Sequence, residues 1–378
     1  MSRQEALAGA AAEPVSDQPV TASIWILLLY DVCEEINLNE LRRVVGMPVT
    51  YREPAFPYPT PEYLRVERPP VVEALEGPWV NHSIVGGHVA YYDFGVVAVQ
   101  LECAFSGSWR DLIDFVARSV AEPSVKRLTD AIVRERLEQL RPAFVKTYPE
   151  FLEEDYYIVH VPPLSVKQYC LSADELLNAR REAVAMVVRA DAAPPSVKEL
   201  HDALQSGMSY SPGDLAVFGW NAAFVYDTPE GAAPVVQLLE YANAQLLEFR
   251  RYDEVLTDLL TGVYGILENR RGFWYRWRFV REAQRLNTIR LDVRELTERI
   301  DNSIKFFGDV FSARLYRLAA SKIGVPDYRK LVDDKLRTAH ELYVFMMDQF
   351  HQSRAFILEL MIVIILIIDL IFLFRGRS

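Results

Sequence analysis

Cysteine is scarce in this sequence. Its 378 residues include only Cys33, Cys103 and Cys170, an odd number at wide spacing. That excludes a disulfide framework, and the absence of any CxxC pair excludes a zinc ribbon or a dithiol redox motif. The three read as reduced core residues of a reducing compartment. Histidine is also sparse, at six residues. There is no HExxH, no His–Cys cluster and no acidic loop of the calcium type. His82 and His88 flank Gly86-Gly87 but lack a third ligand. His340 and His351 share a helix face at about 16 Å, too far apart to hold one metal. Glycine forms neither GxxxxGK[ST] nor GxGxxG, so no phosphate-cradling loop is present. These absences leave no catalytic residue, cofactor or metal to assign. The expectation is a protein that is not an enzyme.

The charge balance points the same way. A formal net charge of −11 argues against wholesale coating of nucleic acid and against a DNA partner. A secretory signal is missing too. Residues 1–22 are Ala-rich, carry Glu5, Glu13 and Asp17 and have no apolar h-region, so they read as a disordered tail. The first apolar run, Ile24–Tyr30, is short and reads as a buried strand.

What the chain does have begins at that strand. Asn37 or Asn39 can cap a short helix after it. Eight of the 21 prolines then fall between Pro48 and Pro78, so 48–80 reads as an extended loop. "SIVGGHVAYYDFGVVAVQLE" follows as two strands turning at Asp93–Gly95. Ser108 caps a helix with Leu112, Phe115 and Val116 on one face. A second helix, Val125–Leu140, leads to the strand "YYIVH". The order strand–helix–strand–strand–helix–strand predicts a ferredoxin-like sheet. Residues 165–230 extend it, with a helix at Leu171–Arg181 and strands at Ala183–Val188 and Asp214–Asp227. The fold class expected is therefore α+β, with a domain over 23–233.

Residues 234–354 are helical in pattern. Leu239, Ala242, Leu246, Phe249, Asp253, Leu256, Leu260 and Val263 recur at spacings of three and four, a heptad seam for a coiled-coil limb. Arg270-Arg271-Gly272 turns the chain. Leu286, Ile289, Val293, Leu296 and Ile300 line a return limb, which makes a long antiparallel hairpin and stalk. Asp253 interrupts the seam. An unpaired buried carboxylate is costly, so an ion pair with Arg285, Arg290 or Arg294 is expected to fix the register.

At the hairpin tip, "NRRGFWYRWRFVREAQR" interleaves arginines with aromatics. Arg276, Arg278 and Arg281 with Trp274 and Trp277 suit stacking on RNA, a ribosome contact or a lipid contact. The blander alternative is a tip whose aromatics are core and whose arginines pair with nearby acids. The last long run, Ala355–Phe374, holds 20 residues and carries Glu359 and Asp369. At 1.5 Å per residue it reaches about 30 Å, which predicts a single C-terminal transmembrane helix, 355–374, followed by a short tail, 375–378. The expectation is a single-pass tail anchor, with the bulk of the chain in the cytoplasm or, for an organellar member, the mitochondrial matrix. The two acids either snorkel towards lipid headgroups or face another helix in a homo-oligomer.

"YANAQLLEFRRYDEVL", "ELTERIDNSIKFFGDVFSARLYRLAA" and the terminal "LELMIVIILIIDLI" resemble the family named "required for meiotic nuclear division". This is a domain-of-unknown-function family with fungal, mitochondrial and bacterial members. "YYDFGVVAV" is similar to that family's apolar-Gly-Val-Val strand. The resemblance implies a non-enzymatic, membrane-held support of ribosomes, and acids in the terminal anchor at Glu359 and Asp369. Residues 165–230 depart from that pattern. The function expected is a membrane-anchored scaffold or tether for the translation machinery. The alternatives are an enzyme with a pocket between the α/β part and the hairpin, or a purely structural membrane oligomer.

Overall fold

The computed structural model describes residues 19–45, 50–51, 69–75, 77, 84–120, 122–166, 169–268, 285, 288–289, 291, 293–295 and 310–375. The chain divides into two compact units. One comprises Met1–Arg251 with Leu296–Tyr328, the other Tyr252–Glu295 with Arg329–Ser378.

The first unit is α+β and is built on one nine-stranded sheet. In chain order its elements begin with β1 (Val20–Ile36), α1 (Leu38–Val45), β2 (Thr50–Tyr51), β3 (Val71–Ala74), β4 (Ile84–Tyr91) and β5 (Val96–Gly107). Then come α2 (Trp109–Ser119), α3 (Pro123–Gln139), β6 (Phe144–Val161), β7 (Ser165–Val166), β8 (Tyr169–Cys170), α4 (Ala173–Arg189) and α5 (Val197–Leu204). These are followed by β9 (Gly207–Met208), β10 (Leu215–Phe218), β11 (Ala222–Tyr226), α6 (Pro229–Glu268), α7 (Val310–Ile323) and α8 (Val325–Arg375). β7 and β8 pair apart from the main sheet.

The four central strands lie in the order β4-β5-β1-β6, each antiparallel to its neighbours. That is the spatial order a ferredoxin-like chain produces. The sheet does not stop there. β3 and β2 extend one side, and β11, β10 and β9 the other, with β11 parallel to β6. The result is a mixed sheet rather than a four-stranded one.

Strand alternation sends alternate residues to opposite faces. On β1, Ile24, Ile26, Leu28 and Tyr30 join the main core with residues of α2, α3 and α4. Leu27 and Leu29 point to the other face and are equally buried. This second face carries Ala90, Ala98, Tyr156, Ile158 and Val225, all buried. Side chains of α6 bond to it, as described below. Because both faces are covered, β1 is nearly continuously apolar from Ile24 to Val32, as a doubly buried strand must be.

The β4–β5 turn is set by glycine. Tyr92 N–H donates to the Val96 carbonyl at 2.9 Å, and Gly95 N–H to the Tyr92 carbonyl at 3.1 Å. Gly95 has φ +95, so the three-residue loop ends on a left-handed residue, as hairpins of this length require. The same loop is stapled to β1 where the β1–β6 register shifts between Asp31 and Cys33. Val32 N–H reaches the Gly95 carbonyl and Ile36 N–H the Asp93 carbonyl.

Several expectations need correction. β1 begins at Val20, inside the stretch assigned to the tail. Ala183–Val188 is not a strand but the buried second half of α4. Its apolar residues face the sheet, and Ser172 with Glu175 forms the capping box that starts this helix. Cys170 is exposed rather than part of the core.

The largest correction concerns the C-terminus. Among the described residues, no helix is long and apolar enough to cross a membrane. The transmembrane segment 355–374, the tail anchor and the single-pass membrane location are therefore not supported. The apolar stretch is the end of α8, a 51-residue helix, not a separate span.

Candidate functional site

The second face of the sheet holds most of the buried charge. Val236, Glu240, Asn243, Leu247, Arg250 and Arg251 recur along α6 at spacings close to three and four, so they share one stripe. The sheet answers with polar residues at matching positions. Asp31 is fully buried and pairs with Arg251, whose guanidinium also lies 4.5 Å from the Tyr148 ring centroid. Glu154 pairs with Arg250. Burial holds the Glu154 carboxyl above its ordinary range, outweighing the attraction of Arg250. Burial, reinforced by the Asp31 charge, pushes the Cys33 thiol up to about 12, which makes it inert as a nucleophile.

Nearer the start of α6, Glu240 is only 4% exposed. Tyr92 donates its hydroxyl to one Glu240 oxygen at 2.9 Å, and His88 Nε2 lies 3.2 Å from the other. The far side of the helix is covered as well, since the Tyr316 hydroxyl of α7 donates to Gln245. All residues from Ala242 to Phe249 are buried, so this part of α6 is enclosed.

At the opposite end of the same face, His160 stacks on Trp25 with ring centroids 5.4 Å apart. Its Nε2 sits 2.8 Å from the Asp227 carbonyl, which accepts only from a ring N–H. Burial lowers the His160 pKa below its usual value of 6.5. Protonation is thus harder in the folded chain than in the unfolded one. The stability His160 contributes is complete above pH 6.5 and is lost as pH falls from there towards the folded pKa. We expect His160→Gln to flatten this part of the stability profile. Urea midpoints from about pH 7.5 to 5.5 compare the two proteins, and identical slopes would refute the assignment.

The residues singled out in the sequence fall elsewhere. Arg276, Arg278, Arg281, Trp274 and Trp277 lie outside the described residues. Asp253 is partly exposed, and its ion pair is made by Lys335 of α8 at 2.5 Å rather than by an arginine of the return limb. Lys335 also donates to the Thr257 hydroxyl at 2.6 Å. Lysine reaches Asp253 because α8 supplies it within the same compact unit. Asp369 is exposed on α8, and Glu359 belongs to the same helix with its side chain outside the described set. No group of three or more His, Cys, Asp or Glu side chains suited to a metal ion occurs among the described residues.

The sequence reading passed over Glu240, Asn243, Asp31 and Glu154. One signal could have exposed the first two. In "VVQLLEYANAQLLEF" polar residues recur inside an apolar helix at the spacing of its stripe. Asp31 and Glu154 sit at strand positions that gave no local warning.

The family described as "Uncharacterized protein MJ0711, N-terminal domain" matches residues 21–233, more than half of the chain and nearly all of the sheet with its covering helices α1 to α5. The chain belongs to this family. It is similar to the uncharacterized protein MJ0711 of Methanocaldococcus jannaschii, at 20% identity over 207 residues. That match covers 54% of this chain and 63% of the relative, so the chain spans less than two thirds of the relative's length. No solved structure matches. The MJ0711 family is a domain-of-unknown-function family.

Proposed function

We propose that this member of the MJ0711 family is a non-catalytic scaffold that associates with itself and holds a second macromolecule. The observation that carries the reading is the described run Met361–Ile368 of α8. Eight consecutive large apolar side chains there are each between 46% and 62% exposed. Exposed apolar patches of that kind mark contact surfaces. The buried ion pairs of α6 support the same reading. Asp31–Arg251 and Glu154–Arg250 hold a helix to a sheet, which is a structural task. The resemblance to the family "required for meiotic nuclear division" supports the translation machinery as the macromolecule held, with Arg276, Arg278, Arg281, Trp274 and Trp277 as its contact.

Crosslinking and co-sedimentation of the full chain test both halves of the proposal. Ile364→Lys with Ile368→Lys should abolish self-crosslinks. Charge reversal of Arg276, Arg278 and Arg281 should abolish co-sedimentation with ribosomes at low salt, because the ionic part of such binding rests on counterion release. Unchanged self-crosslinks would overturn self-association. Equal co-sedimentation of wild type and triple variant would overturn the ribosome contact.

A further inference from the structure

We propose that α3 of one copy of this chain lies along α8 of a second copy, joined by a row of arginines on the first helix and a row of acids on the second. The proposal rests on the reading that the chain associates with itself, and it adds where a second contact falls and what sets its register. On α3, Arg127, Ala131, Arg134 and Glu138 are exposed and follow at intervals of four, three and four, so they share one stripe. Arg141 comes three residues later, exposed at the start of the short helical turn Arg141–Ala143. Arg127 and Arg134 are one heptad apart, about 10.5 Å along the helix. Lys126 and Arg136 of the same helix are taken by Glu153 and Glu73. Among the described residues no acid pairs with Arg127, Arg134 or Arg141. Arg134 rests on the Phe151 ring, 5.2 Å from its centroid, and keeps its full charge.

α8 carries the complementary row. Asp327, Leu331, Asp334, Thr338 and Glu341 repeat the same intervals on one continuous helix. Phe345 extends the stripe by one more turn. Asp327, Thr338 and Glu341 are exposed, and Leu331 and Phe345 are 42% and 48% exposed. The ion pair of Asp334 is with Arg337 of its own helix, at the surface, where such pairs are worth little and exchange readily. Laid parallel, the two stripes match position by position. Arg127, Arg134 and Arg141 meet Asp327, Asp334 and Glu341. Ala131 leaves room for Leu331, and Glu138 meets the Thr338 hydroxyl. The antiparallel alignment would set Glu138 against Leu331. A nucleic acid fits the α3 row less well, because Glu138 would face a phosphate and the whole chain carries a net charge of −11. A second copy brings the matching row with it. The two rows lie on different helices, so the contact is heterologous and every copy offers one of each. Exposed ion pairs are weak singly. They act here because the apolar run of α8 already holds the copies together at high effective concentration.

The test uses an equal mixture of isotope-labelled and unlabelled full chain. Arg134→Lys keeps the charge and supplies an amine, so a carbodiimide should join position 134 to Asp334 in mixed-isotope crosslinks. In that background, Arg127→Glu with Arg141→Glu should lower the yield about tenfold, as expected when two exposed pairs become repulsive. Asp327→Lys with Glu341→Lys should do the same. Mixing these two charge-reversed variants sets glutamates against lysines and should restore the crosslink, which a misfolded variant could not do. Raising the ionic strength should also lower the yield. Self-crosslinks through the apolar run of α8 should persist in both variants. Self-crosslinked chain without mixed-isotope 134–334 crosslinks would overturn this contact and leave self-association standing, whereas absence of any self-crosslink would overturn both. Crosslinks confined to single-isotope peptides, or undiminished in both variants, would also overturn it. Binding of single-stranded RNA that the α3 reversal abolishes, with no mixed-isotope crosslink, would assign the row to a nucleic acid instead.

Discussion

Arg251→Met should cost about 3–5 kcal/mol of stability, a large part of the total for a domain of this size. Asp31 is fully buried in the middle of the sheet, and Arg251 is its cation. Removing the guanidinium takes the ion-pair cation away from a carboxylate at a place where water cannot reach it. The same change removes the cation from the face of Tyr148. The double variant Asp31→Leu, Arg251→Met should recover most of the loss, since exchanging both members of a buried pair for apolar residues is often neutral or better. Urea unfolding followed by circular dichroism gives both values. A loss under about 1 kcal/mol in the single variant would show that the pair is solvated rather than buried.

A comparably large effect is expected from Gly95→Ala, a change of one methyl group. The added Cβ would lie 1.9 Å from the Cys33 carbonyl oxygen, at a backbone φ of +95. A left-handed conformation costs a residue with a side chain about 1–3 kcal/mol. The forced separation from β1 adds a cost of similar size, about 1–3 kcal/mol. It also pulls on the bonds from Val32 and Ile36 that staple the loop to the bulge of β1. Gly86→Ala is the contrast. Its Cβ meets nothing, so the change should be neutral or stabilise by up to about 1 kcal/mol through the entropy of the unfolded chain. Similar unfolding midpoints for the two variants would refute the steric account of Gly95.

The β4–β5 hairpin was legible because its determinants are local. "YYDFGVVAV" places a glycine where a three-residue loop needs φ above zero, and β-branched residues flank it. The capped start of α2 at Ser108 was legible for the same reason, because a cap and its N–H partner lie within one turn. Ala183–Val188 misled because an apolar β-branched run fits a buried strand and the buried face of a helix alike. Only the capping box ten residues earlier distinguishes them.

The sequence by itself determined the α+β class, the order of the central strands and the buried character of β1, since these follow from periodicity, glycine placement and continuous hydrophobicity. Tertiary structure alone decided the rest. The sheet grew to nine strands because β3 and β2 add to β4 at one edge and β11 pairs in parallel with β6 at the other, long-range choices with no local signature. The partner of Asp253 is Lys335, 82 positions away, because proximity in space and not in sequence selects an ion pair. The polar row beneath α6 exists only after folding. Asp31, His88 and Glu154 come from three strands, and they meet the α6 stripe because strand pairing puts them on one face.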